Sequence, residues 1–513
     1  MNITVNAKES RHTIKNFWNH LHFHPADAIE DLWGREIIDK ISEDKGAQYI
    51  RLHAMLEDIV FRDEQCRLSY DFRISDQRLD YLVSKGFKPF LIYDFMPVDI
   101  AKDPTLFSTM KRYKGKRFNF SEPADYREWE EVCRTYTVHL MNRYGVEEVS
   151  DWYLECWNEP DHSYWLNNER SPSPEQLQEK LEAYCKLYDY FAEGVMSACA
   201  ALKIGGPAAA GKMPFIEGFI RHCRFGVNHA TGEQGSRLDF ISFHTYTMGP
   251  NHFDNGQFPS VDRLLEKTML VYDVMKACGC SDTKIVIDEW EGVSRGFDSI
   301  DDQKELVYRD NEYFPAHFAL VTERFLKAIV DTGLPISMMM VVYSGQHNLV
   351  KDFDGYRALF TLNMFPKPIY NIYPMMRKLG SYLLESTIEN SSRNVGVIPT
   401  RDEQGNIKVL VYQIEENVWK SPGNKKVTLV VNGLDGRYRI RHYRIDRCTS
   451  NSFYRWTALG RPVNPTQEER ETIKQDGKLS LYYPEEIVDI KCTYSLDIVM
   501  TGNCVSLVEL EKI

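Results

Sequence analysis

The sequence predicts an α/β protein: a (β/α)8 TIM barrel with a C-terminal β-sandwich domain. Three observations carry this. From about residue 14 to 345, eight short apolar runs alternate with helical patterns, the layout that builds a parallel sheet wrapped in helices. The intervening helical segments are apolar on one face only. After about residue 376 the helical period stops, and short alternating runs separated by turn residues follow, as in a sandwich. The expected boundaries are 14–375 for the barrel, with 1–13 plus 376–513 for the sandwich.

The runs expected as barrel strands are, in order, "KNFWNHLHF", "AQYIRLHAML", "KPFLIYDFMP", "SDWYLECWNE", "LKIGGPA", "LDFISFHTYT", "KIVIDEW" and "ISMMMVVYS". Strands covered on both faces read as continuous apolar runs, because neither side meets water. Between the third and fourth, Trp129, Val132, Cys133, Tyr136, Leu140 and Tyr144 recur every three or four residues, with Pro123 before them and Gly145 after. Between the fourth and fifth, Leu177, Leu181, Tyr184, Tyr188, Phe191 and Val195 repeat the pattern behind Ser173 and Pro174. Eight such units fit a barrel of about 250 residues plus insertions. Beyond residue 376, "VGVIPT", "NIKVLVYQI", "KKVTLVVNG", "YRIRHYRID", "KLSLYY", "YSLDIVM" and "CVSLVEL" are expected strands, with turns at "QGN" and "LDG" and no long helix. The opening "ITVNA" is placed in the same sandwich. With no low-complexity linker between them, the two units are expected to pack firmly.

Composition narrows the function. The 513 residues are 43% hydrophobic, enough for a large core, and carry 74 acidic against 62 basic residues, a net charge of -12. That balance does not recruit nucleic acid or an anionic membrane, and it suits a neutral or weakly charged substrate. Self-association into a homo-oligomer is left open. The 11 cysteines have no metal-ligand spacing, so most are expected as reduced, buried small hydrophobes. No apolar stretch is long enough to span a membrane, and the start "MNITVNAKES" carries no signal-peptide pattern. The expectation is a cytoplasmic protein, or a periplasmic one whose export signal is not part of this chain.

Barrel enzymes assemble their sites at the C-terminal strand ends. Those ends hold His24, His53, Asp94, Asn158 with Glu159, His244 with Tyr246, Glu289, and Tyr343 with Ser344. In "WYLECWNEPD", Pro160 is expected to end the fourth strand so that Asn158 and Glu159 project from its tip. Glu289 closes the seventh strand, so two carboxylates face each other across one rim. A glycosidase needs such a pair: a protonated acid for the leaving oxygen, and an ionised group that attacks or activates water. A separation of about 5 to 5.5 Å means retention and about 6.5 to 9.5 Å inversion.

The pieces "YIRLHAML", "KGFKPFLIYDFMP", "EPADYREWEEVCRTYTVHLMNRYGVEEVSDWYLECWNEPD", "IGGPA", "DFISFHTYT" and "KIVIDEW" resemble glycoside hydrolase family 39, the β-xylosidases and α-L-iduronidases, across most of the barrel. "WTALGRPVNPT" resembles the family as well. The resemblance implies a retaining enzyme of double displacement acting on polysaccharide-derived oligosaccharides or glycosides. Glu159 is then the general acid/base and Glu289 the nucleophile. Asn158 bonds the sugar 2-hydroxyl, Tyr246 orients the nucleophile, and His53, His244 and His24 contact sugar hydroxyls. Asp94 is left as structural. No metal or cofactor is implied. The chain departs from the family in strand eight, where "MVVYSG" stands for a "YWTFSD"-like run, placing Val341 at an aromatic floor and Gly345 at an acid. The sugar subsite is therefore expected to differ, with Tyr343, Gln346, His347 and Arg357 as replacement contacts. A basic residue that holds uronate in iduronidase-like members corresponds to Leu359, although Arg357 stands nearby.

Two alternatives stand beside this reading. A catalytically inactive carbohydrate-binding barrel has no need of both glutamates. A metal-dependent amidohydrolase is suggested by His20, His22 and His24 alternating on the first strand, but such enzymes also need an aspartate at the eighth.

Overall fold

The computed structural model describes residues 1–23, 29–108, 117–249, 253–343 and 349–513. Its eight parallel barrel strands are His20–Phe23, Tyr49–His53, Lys88–Tyr93, Tyr153–Cys156, Lys203–Ala209, Phe240–Met248, Lys284–Val293 and Ile336–Tyr343. The eighth lies beside the first, with Val341 opposite Leu21, and the barrel closes. Phe90, Phe240, Val286, Met338 and Met340 fill its interior. Alternate residues such as Leu21, Ile50, Leu91, Leu154, Ile241 and Val341 belong to the large core shared with the helices.

Both helices read from the sequence form. Tyr126–Tyr144 starts where the Asp125 side chain accepts the Arg127 N–H at 2.8 Å, and ends at Gly145, whose φ of 88 suits a residue without a side chain. Pro174–Ala198 starts on a capping box of Ser173 and Gln176. The two pack closely because Gly194 lacks a side chain: a Cβ there would lie 2.4 Å from the Glu130 carbonyl oxygen. Among the described residues no helix is long and apolar enough to cross a membrane.

The C-terminal region is a sheet folded on itself. The opening strand Asn2–Thr13 pairs antiparallel with Tyr382–Ile388 and parallel with the first half of Asn424–Ile445, whose second half pairs with Cys504–Lys512. Two local expectations are corrected. "LDG" is not a turn, because residues 424–445 form one bent strand with a register shift between Asn432 and Leu434. Two helices, Ser452–Ala458 and Gln467–Asp476, interrupt the strands, the latter contributing Ile473 to a cluster with Phe353 and Phe365.

Barrel and sheet share one core. Ile398, Leu410, Tyr412 and Leu507 of the sheet join the barrel's apolar cluster. The Tyr313 hydroxyl donates to the Glu416 carbonyl at 2.6 Å, and Arg393 Nη2 lies 2.5 Å from Asp262 and 3.2 Å from Glu416. All 11 cysteines are free, and seven are buried, the environment in which a thiol behaves as a small hydrophobe.

Candidate active site

The fourth strand stops at Cys156, earlier than expected, and Pro160 is not what stops it. The chain turns away through Trp157 and Glu159, both in the left-handed region at φ 65 and 49. Side chains strain the backbone there, so the turn persists only because its surroundings fix it. The Trp157 indole donates to the Tyr164 carbonyl at 2.8 Å, and the Glu159 N–H donates to the Ala208 carbonyl at 3.0 Å. Glu159 is thereby aimed across the barrel mouth.

Glu289 does not end the seventh strand, which runs on to Val293. A register shift between Val286 and Glu289 marks a bulge against the sixth strand. Bulges re-aim side chains, and here two consecutive residues, Asp288 and Glu289, both reach His244. His244 Nε2 lies 3.5 Å from Asp288 Oδ2, while its Nδ1 lies 3.3 Å from Glu289 Oε2 and 3.0 Å from Glu159 Oε1. One oxygen of each glutamate and the imidazole nitrogen all fall within 4.8 Å of one another. The Tyr246 hydroxyl donates to Glu289 Oε1 at 2.5 Å. Burial works against charge on His244, but Glu289, Asp288 and Glu159 outweigh it and hold the imidazole well above its ordinary range.

Beneath this pair lies a charged layer that the sequence reading missed. Arg51, fully buried, donates to Glu155 at 2.6 and 2.9 Å and to the Asn158 side-chain oxygen at 3.1 Å, and sits 3.0 Å from Asp288. Its Nη1 also lies 3.2 Å from each ring nitrogen of His22. Burial, with Asp288 adding to it against the pull of Arg51, raises the Glu155 carboxyl, whereas Arg51 and His244 overcome burial and keep Asp288 low. Above, Glu291 is held by Arg309 at 2.9 Å, by Arg357 at 3.3 Å and by the Tyr308 hydroxyl. Despite burial, the two arginines lower its carboxyl to about 2.

The remaining predicted residues separate into three groups. His53 Nδ1 meets Asp94 Oδ2 at 2.7 Å and its ring stacks on Phe95, so Asp94 fixes the histidine's orientation. His24, Ser344, Gly345, Gln346 and His347 lie outside the described residues. Val341 is a correction. Its register partners are Leu21 and Trp290, and the Trp290 ring lies 5.5 Å from Phe318 on an outer helix, so Val341 faces the helices. The position facing inward is Val342, paired with His22. Tyr343 also faces outward, its hydroxyl 2.8 Å from that of Tyr373. Arg357 does reach the site: Nη1 lies 3.8 Å from Glu289 Oε1, and the guanidinium stacks over the Tyr246 ring. Leu359 is buried in the apolar core.

Residues 1–480 match the family model for glycosyl hydrolases family 39. The chain belongs to that family. A β-xylosidase of Caldicellulosiruptor saccharolyticus is 27% identical over 499 residues, covering 93% of this chain and 92% of the relative. The human α-L-iduronidase is 28% identical over 257 residues, 47% of this chain and 35% of that one. The structure of a monomeric β-xylosidase from Caulobacter crescentus superposes with a TM-score of 0.80 at 20% identity, covering 100% of this chain and 99% of that one, a likeness of fold. This family 39 enzyme is a glycoside hydrolase, and its barrel plus C-terminal sheet is the architecture the sequence predicts. The amidohydrolase reading fails on its own residues. The His22 nitrogens face a guanidinium, a cation where a metal is required, and His20 is tied to the Asn16 carbonyl at 3.3 Å.

Proposed function

We propose that the enzyme is a retaining glycoside hydrolase working by double displacement, with Glu289 as nucleophile and Glu159 as general acid/base. The observation that carries this is the approach of one oxygen of each carboxylate to within 4.8 Å with His244 Nδ1 between them. That approach suits a retaining pair about 5 to 5.5 Å apart better than the about 6.5 to 9.5 Å of an inverting one. In the first step Glu289 attacks the anomeric carbon while Glu159 gives its proton to the departing oxygen. In the second, Glu159 takes a proton from water as that water displaces Glu289. Asn158, whose side-chain oxygen is held by Arg51 at 3.1 Å, is placed to bond the sugar 2-hydroxyl, and His53, oriented by Asp94, to bond another hydroxyl. Early-time NMR of the released sugar tests the mechanism. Retention is expected, and an inverted first product overturns it.

The sugar accepted is a neutral one, and not simply that of the β-xylosidases. Arg357 gives Nε to Glu291 and Nη2 to the Val293 carbonyl at 2.5 Å, and its Nη1 lies 3.8 Å from Glu289, so the protein's own carboxylates already balance its charge, which supports a neutral sugar over a uronate. Val342, the inward residue nearest the mouth in the described eighth strand, carries no aromatic ring, which supports a subsite for a larger or differently branched sugar. Comparison of kcat/KM for aryl β-xyloside, galactoside, arabinoside, fucoside and glucuronide tests this. A preference for the xyloside on the order of a hundredfold, near what one apolar pocket difference can generate, contradicts it.

A further inference from the structure

We propose that Lys267 is a positioning residue for proton transfer by Glu159: it anchors the backbone of His244 and sets a positive charge behind the loop that carries the acid/base. The inference rests on the reading of Glu159 given above.

That loop is stitched to its neighbour. Asp161, two residues beyond Glu159 and fully buried, accepts the backbone N–H groups of Ala210, Gly211 and Lys212 at 2.6, 3.0 and 2.8 Å. On its other side Lys180, also buried, donates to the His162 carbonyl at 3.0 Å and to the Trp165 carbonyl. The segment bearing Glu159 is therefore gripped from both flanks.

Lys267 arrives from the outer helix Val261–Ala277, where its neighbours Leu264, Thr268 and Val271 are buried. Its ammonium passes inward and donates to the His244 carbonyl at 2.9 Å. The route is open only because residue 211 is glycine: a Cβ there would lie 1.8 Å from Lys267 Nζ, and the φ of +122 also disfavours a side chain. Lys267 thus tethers His244, whose imidazole bridges both glutamates. The charged groups acting on it are Asp161 and Glu159, which favour its ammonium form, and Arg263 and Lys212, which oppose it; burial outweighs the acids and lowers it to about 8.

A cation behind Glu159 favours the carboxylate over the acid. The acid is needed to protonate the leaving oxygen, so this charge, added to that of the His244 imidazole 3.0 Å from Glu159 and opposed by the carboxylates of Glu289 and Asp161, helps to set the alkaline limit of the first step. The electrostatic effect should be absent where the leaving group departs without a proton, which a purely structural role does not reproduce.

The test uses the full chain with Lys267→Gln, which keeps an N–H for the His244 carbonyl and removes the charge, and Lys267→Met, which removes both. The alkaline limb of kcat/KM on a phenyl glycoside is expected to move up by roughly half to one pH unit in both variants. On a 2,4-dinitrophenyl glycoside Lys267→Gln should stay within about threefold of the parent, while Lys267→Met falls further on both substrates. If Lys267→Met does not fold, Lys267→Gln decides alone. An unmoved limb, or equal losses on both substrates in Lys267→Gln, overturns the proposal. A Glu159→Ala variant that fails to distinguish the two substrates overturns the acid/base reading instead.

Discussion

The Tyr246 hydroxyl donates to Glu289 Oε1 at 2.5 Å, while His244 stands 3.3 Å from the other oxygen of the same carboxylate. Glu289 is thereby held by both oxygens before any sugar enters. A hydrogen bond to a charged group contributes about 1.5–3 kcal/mol, so Tyr246→Phe is expected to lower kcat/KM by roughly 10- to 150-fold with an unchanged circular dichroism spectrum. A loss below about twofold contradicts an orienting role.

Replacing the two glutamates should separate their roles. Glu289→Ala cannot form the glycosyl intermediate and is expected to be nearly inert even on activated aryl glycosides. Glu159→Ala should still release a good leaving group in the first step and then stall, with azide restoring turnover because a small anion needs no deprotonation. Equal loss on the activated substrate, or no azide rescue in either variant, sinks the assignment.

His244 should be an imidazolium at neutral pH, since the charges of Glu289 and Asp288, with a hydrogen bond to Glu159, hold its proton against burial. Its raised value means that its contribution to stability is complete below its ordinary value of about 6.5 and is lost as pH rises through the raised one. Nitrogen-15 NMR of histidine-labelled enzyme, assigned by loss of the signal in His244→Gln, is expected to show the charged form at pH 7.5. A neutral tautomer at that pH contradicts the electrostatics described for the site.

Glu291 neutralises a buried group. Glu291→Gln leaves Arg309 without its carboxylate and Arg357 with Glu289 alone, and breaking such a buried pair costs about 3–5 kcal/mol, read as a lowered Tm at neutral pH. Because its carboxyl is depressed to about 2, the native enzyme has this contribution in full above about 4.5 and loses it as pH falls toward 2. A variant with the parent's Tm at pH 7 disproves the stabilising role.

The barrel could be read because strands buried on both faces leave continuous apolar runs, and because Ser173 and Gly145 mark helix ends by local chemistry. Glu159, Glu289, His244 and Tyr246 stood out as polar residues at the ends of such runs. What stayed hidden depends on partners far away in sequence. Arg51 inside "YIRLH" reads as a solvated residue until Glu155 and Asp288 arrive from other strands to neutralise it. The bulge that turns both Asp288 and Glu289 toward His244 defeats simple alternation. Val341 faces the helices and its neighbour Val342 the interior, because successive residues of a strand point to opposite faces, a placement that an apolar run such as "MVVY" does not reveal. The strand 424–445 runs through "LDG" because Gly433 and Gly436, both at positive φ, let it bend without reversing.

The central claim is that Glu289 attacks the sugar, and trapping tests it most directly. The enzyme would be treated with the 2,4-dinitrophenyl 2-deoxy-2-fluoro derivative of whichever sugar it hydrolyses best, then digested and mapped by mass spectrometry. The account predicts a stoichiometric fluoroglycosyl ester on Glu289, absent from Glu289→Ala and formed by Glu159→Ala. An ester on any other residue, or a product released with inverted configuration and no adduct, would contradict it.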